Sequence, residues 1–170
     1  MRMMRSMVML NNLKTYACVR TCGLAVALIS LLADWGSKAW ALRAEQAGQL
    51  PVWLMPGEIG FRFAWNRGMS FSLLNDVSWG PWVLGGVAVI ACVWFIHWLG
   101  ERVHWMHQVG LGLLIGGAAG NVLDRIQHGA VVDFILVNPS GLFPFTFNIA
   151  DATITVGVLL LLLDSWKNRA

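Results

Sequence analysis

Charge is scarce in this chain. Only 12% of its 170 residues are Asp, Glu, Lys or Arg, about half the share of a soluble domain. The basic residues gather mainly toward the chain ends and form no stripe. The net charge of +3 therefore signals no nucleic-acid partner. Cysteine is scarce as well. Cys18, Cys22 and Cys92 are an odd set without C-x-x-C spacing, which supports neither a disulfide framework nor a zinc site. Cys18 and Cys22 lie one helical turn apart and Cys92 lies inside an apolar run, so all three are expected to be small packing residues in helices. His97, His104 and His107 cluster around one short loop with Glu101 and Arg102. A metal could bind there, but polar loop residues are the expectation, and no metal or cofactor is expected.

What the chain has instead is apolar sequence. Hydrophobic residues make up 57%, ten of the residues are Trp, and the mean hydropathy is +0.62. Apolar runs reach membrane-spanning length at about 16–33, 81–99, 105–123 and 150–166. The first follows Arg2, Arg5 and Lys14 and precedes Ala39-Trp40-Ala41, a pattern that a cleaved signal peptide also shows. The run is long for that role and further spans follow, so a retained first helix is the better reading. The third run is rich in small residues, Gly110, Gly112, Gly116, Gly117 and Gly120 among them, which let helix backbones approach closely in a bilayer. The expected fold is thus an integral membrane, mainly α, four-helix bundle forming one domain over 1–170.

Between the first two spans the chain changes character. Pro51, Pro56, Gly57 and Gly60 punctuate short runs containing Val52, Trp53, Ile59, Phe61 and Phe63, a pattern of short strands joined by turns. Residues 65–72 read as a polar turn, followed by an amphipathic stretch ending near Asp76. Residues 42–80 are therefore expected to form a small region on the membrane surface, with Trp53, Trp65 and Trp79 suited to the headgroup belt.

Four spans put both termini on one side. With the termini inside, the inner segments hold Arg2, Arg5, Lys14, Arg20, Arg102, Lys167 and Arg169 against Glu101 and Asp164, leaving five basic and seven acidic residues outside. The positive-inside rule favours cytoplasmic termini, and Asp34, Asp124, Asp133 and Asp151 then share the outer face. Carboxylates placed beside a bilayer call for a functional explanation. Asp133 and Asp151 each stand alone among apolar neighbours where a helix is expected to meet the interface. Two crowded, desolvated carboxyls can share one proton, giving one base to activate water and one acid to protonate a leaving nitrogen. Intramembrane acids also serve proton or cation relays in transporters, and spacing alone leaves the two readings balanced. Asp34 and Lys38, four apart, can pair on one helical face at the end of the first span.

Four motifs tip that balance. Asp34-x-x-Ser37-Lys38, Asn66-x-Gly68-x-x-Phe71-Ser72, Gly117-x-x-Gly120-Asn121-x-x-Asp124-Arg125 with Gly129-x-Val131-x-Asp133-Phe134, and Phe147-Asn148-x-Ala150-Asp151 with Gly157 occur in that order. Together they resemble the lipoprotein signal peptidase family (signal peptidase II), integral-membrane aspartyl proteases that mature bacterial lipoproteins. The resemblance implies a catalytic dyad of Asp133 and Asp151. It gives Asn121, Asp124 and Arg125 a role in holding the site together, and places Asn66, Gly68 and Asn148 near the substrate or the dyad. Asp34 and Lys38 are implied as important, as structural support or substrate contact. Trp35 and Met69-Ser70 depart from the family's common residues without touching the dyad. The implied substrate is a diacylglyceryl-modified prolipoprotein cut just before its lipidated cysteine. The implied setting is the bacterial inner membrane, with lipid as a further partner, a surface helix beside the β-region and a monomeric state.

Overall fold

The computed structural model describes residues 2–68, 79–100, 104–138 and 144–168, with side chains from residue 20 onward. Its elements in order are α1 (Arg2–Gln46), β1 (Val52–Met55), β2 (Ile59–Asn66), α2 (Gly80–Trp98), α3 (Trp105–His128), β3 (Val131–Val137), β4 (Phe145–Phe147) and α4 (Ile149–Lys167). All four helices contain stretches long and apolar enough to cross a membrane. The most buried is α3, which packs against each of the other three, whereas α2 packs chiefly on α3. Outward faces are apolar, as Ile90, Val93 and Trp94 on α2 and Leu159, Leu162 and Trp166 on α4 show.

The glycines of α3 explain its central place. A Cβ at Gly117 would sit 2.6 Å from the Ala150 carbonyl of α4, and one at Gly120 would collide with the Asp34 carboxylate of α1. Backbone-close contact stands in for the hydrophobic drive that lipid does not provide between helices.

Two expectations need correcting. The Asp34–Lys38 motif does not end the first helix, which runs on to Gln46. These polar residues are satisfied sideways by α3 and α4, so the helix has no reason to stop there. Asp133 does not lie where a helix meets the interface but on β3, inside an antiparallel sheet of order β1-β2-β3-β4. The strands expected between residues 50 and 63 are present as β1 and β2, but β3 and β4 were not foreseen. Val132 and Phe134 of β3 form a small core with Ala41 of α1, and Phe61 and Phe63 pack against it. Trp53, Trp65 and Trp79 are all exposed, as interfacial residues require. The amphipathic stretch and surface helix expected up to Asp76 fall at 69–78, outside the described residues. Cys92 lies half-buried, Cys22 faces outward rather than into the packing, and the Cys18 side chain lies outside the described set.

Candidate active site

Local geometry delivers each polar residue to one end of the bundle. Gly129, at φ 67°, ends α3 in the left-handed conformation and its N–H bonds the Arg125 carbonyl. That conformation is cheap only for glycine, and it turns the chain directly into β3. On the other side, Asn148 caps α4. Its side chain accepts the Asp151 N–H at 3.0 Å while the Asp151 carboxylate accepts the Asn148 N–H at 3.4 Å. This is a reciprocal capping box, so forming α4 fixes Asp151 against Asn148.

The same Asn148 amide donates to Asp133 at 2.7 Å and to the Val132 carbonyl at 3.2 Å. One fully buried side chain thus touches both aspartates. Asn66 donates to the other Asp133 oxygen at 2.9 Å, and its own oxygen accepts the Gly68 N–H at 2.9 Å. Gly68, at φ 113°, holds a backbone conformation that a residue with a Cβ would strain, and it orients the Asn66 amide toward Asp133. Pairing of β3 with β4 covers only Ile135–Val137. Beyond it, Val132 gives its N–H to Asp124 at 2.9 Å and its carbonyl to Asn148, side chains standing where a strand would be.

Behind the two aspartates lies a charged cluster. Lys38 sits 2.7 Å from Asp34 and 3.0 Å from Asp124, and donates to Asn121 at 2.9 Å, all four residues being buried. Because Lys38 has donors only, the Asn121 oxygen must face it, which leaves the Asn121 NH2 to donate to Asp151 at 3.0 Å. Asp34 also accepts the Ala150 N–H at 2.8 Å, at the start of α4. Asp124 and its neighbour Arg125 reach different partners. Arg125 turns back to the Asn121 carbonyl at 3.1 Å and lies within electrostatic range of Asp151, Asp124 and Asp133. Burial pushes the Asp133 carboxyl up to about 6; the Asn66 and Asn148 bonds oppose this, and the Asp151 charge adds to it.

All ten residues singled out from the sequence therefore stand in one connected network. The linking role of Asn148 is a spatial fact: nothing in Phe147-Asn148 reveals that its amide will meet a strand 15 residues earlier. The histidines behave differently from the loop expectation. His107 is buried in α3 with its ring nitrogen 3.3 Å from the Trp98 carbonyl, His97 lies on α2, and His104 pairs with Asp164. Among the described residues no group of three His, Cys, Asp or Glu is arranged to hold a metal.

Four apolar helices with buried carboxylates gathered at one end define a multi-pass membrane protein built around a polar site. The sequence profile of the signal peptidase (SPase) II family matches residues 26–167. A lipoprotein signal peptidase of Caulobacter vibrioides is 42% identical, covering 85% of this chain and 86% of its own. One from Pseudomonas putida is 37% identical, covering 88% and 90%. A bacterial membrane enzyme solved by the in meso method at 2.3 Å resolution superposes with a TM-score of 0.70 at 25% identity, covering 88% of this chain and 90% of its own. The chain belongs to the signal peptidase II family, whose members are peptidases of lipoprotein processing.

Proposed function

We propose that the chain is a single membrane-embedded aspartyl endopeptidase domain in which Asp133 and Asp151 hydrolyse one peptide bond. The observation that carries this reading is the Asn148 side chain, which donates to the Asp133 carboxylate and accepts the Asp151 backbone N–H, so that one residue ties both aspartates together. One carboxylate takes a proton from water as it attacks the scissile carbonyl. The other, protonated, delivers a proton to the leaving nitrogen. Asn66 and Asn148 fix Asp133, Asn121 fixes Asp151, and Lys38, Asp34, Asp124 and Arg125 hold those asparagines and the strand in register. The substrate is a prolipoprotein with a diacylglyceryl cysteine, cut before that cysteine. Its acyl chains hold the bond at the depth of the site. The setting is the bacterial cytoplasmic membrane, with cytoplasmic termini, the site at the outer leaflet and a monomeric enzyme.

Two carboxyls supply both base and acid, so cleavage of a lipidated prolipoprotein peptide is expected to survive strong chelators and serine- or thiol-directed reagents. Loss of activity with a chelator, restored by a divalent ion, would contradict the mechanism.

The pH dependence carries a sign. The pair works with one proton between its members, so kcat/KM should fall as pH rises through about 6, where Asp133 loses its proton. The Asn66 bond stabilises the Asp133 anion and holds its pKa down. In Asn66→Ala this alkaline limb should therefore move to higher pH. A limb that stays in place or moves down would separate Asp133 from the proton that matters.

A further inference from the structure

A cleft of ≈ 390 Å³ opens between β2, β3 and the start of β4, with Asp133 in its wall. Among the described residues that line it, only Asp133 and Arg62 carry charge. Arg62 is exposed and makes no ion pair or side-chain hydrogen bond with another described residue. It lies on β2 two residues before Ala64, the partner of Asp133 across the sheet. The hydrolytic step described above does not use it.

We propose that Arg62 is a specificity-determining residue, selecting an acidic side chain at the second or third position after the scissile bond. This rests on Asp133 and Asp151 being the catalytic pair. The direction follows from the setting. The segment before the cut enters the membrane, where an acidic side chain is costly. The cleft is walled by the sheet, outside the helical bundle, so its occupant is the segment after the cut. An extended peptide advances roughly 3.3 Å per residue, and Arg62, in the bulge between Phe61 and Ala64, stands at most about 7 Å along from Asp133, a gap its long side chain adds to. That spacing brings the second or third residue after the cut beneath the guanidinium.

The chemistry of the cleft supports an acid there. A carboxylate approaching Asp133 and Asp151 meets repulsion, and a guanidinium that can bind it bidentately offsets this. Trp65, Pro144 and Phe145 wall the cleft, and an ion pair partly shielded from water is stronger than one in bulk solvent. Thr146, also in the wall, offers a neutral hydroxyl that discriminates between no charges.

The test uses the full chain in detergent and three lipidated prolipoprotein peptides, identical except for Asp, Gln or Lys at the second and third positions after the cut. Wild type should favour Asp over Lys by about fivefold in kcat/KM, through KM. Arg62→Gln should level the series, and Arg62→Glu should reverse it in favour of Lys. All three proteins should cut the Gln peptide alike and melt alike, since Arg62 is exposed. A wild-type series without charge preference, or a preference that survives in Arg62→Glu, overturns the proposal. So does an equal loss on all three peptides, or a loss that follows added phosphatidylglycerol rather than peptide charge, which would make Arg62 a lipid contact. Each of these leaves cleavage itself intact and the catalytic pair standing. If wild type cuts none of the peptides, the catalytic reading fails and the Arg62 proposal with it.

Discussion

Asp133→Asn and Asp151→Asn are each expected to abolish cleavage, a loss of at least about 10³-fold, while the protein stays folded and membrane-inserted. An amide can neither take a proton from water nor give one to the leaving nitrogen. The exchange keeps one acceptor oxygen at each site, for Asn148 at Asp133 and for Asn121 at Asp151, but sets an amide NH2 against the Asn66 amide or the Asn148 N–H, a local cost of about 1–3 kcal/mol. Stability should not follow activity for Asp133. Its carboxyl, raised from 3.8 to about 6, holds its proton more tightly in the folded state than in the unfolded one. That favours the fold at low pH, and the advantage is lost as pH rises through 3.8 to about 6, leaving a neutral-pH deficit on the order of 3 kcal/mol. Asp133→Asn removes the titrating group, which offsets the lost Asn66 bond, so it should melt close to wild type at pH 7. Turnover near wild type in either variant would remove that residue from the chemistry.

Lys38→Met should be the most destabilising of the single substitutions in the polar network. Among the described residues Lys38 is the one cation contacting both Asp34 and Asp124, and all three are buried. Removing it takes the counter-charge from two carboxylates and leaves the Asn121 oxygen only the Asn148 amide at 3.4 Å. Breaking a buried pair costs about 3–5 kcal/mol, which at this chain length lowers the melting temperature by about 10 °C or more. Asp124→Ala should cost less, since Lys38 keeps Asp34, but it also leaves the Val132 N–H without its acceptor. Asp124→Asn should be milder again, because its side-chain oxygen can still take that N–H. The check is detergent-solubilised melting temperature beside specific activity. A Lys38→Met variant that melts like wild type contradicts the cluster's structural role. An Asp124→Ala variant that melts like wild type yet is inactive would move Asp124 into the chemistry.

The membrane bundle was legible because hydropathy over 19 to 27 residues is a local signal that packing cannot reverse. The end of α1 is not legible, because Asp34 and Lys38 look like interface residues when their partners on α3 and α4 are invisible. β3 was missed for a different reason. Val131–Val137 is a short run buried along most of its length, and such a run cannot be told from a piece of helix by periodicity. Its partner β2 lies some 70 residues earlier in the chain. Asp124, Asp133 and Asp151 stood out at once because charge is so rare here. The asparagines that connect them are marked only by the family resemblance, because a neutral amide is informative by itself only once its partners are placed. Arg62 carries no such signal either, as one exposed Arg in a strand looks like any solvated residue until the cleft beside it is seen.

The most direct measurement is mass spectrometry of the products formed by the purified wild-type protein alone, in detergent with a chelator present. It should be given one prolipoprotein peptide with and without diacylglycerol on its cysteine. The two-carboxylate peptidase predicts a single cut, immediately before the lipidated cysteine, with the unmodified peptide left intact. Cleavage at another bond, equal cleavage of the unmodified peptide, or none until a metal is added would contradict it.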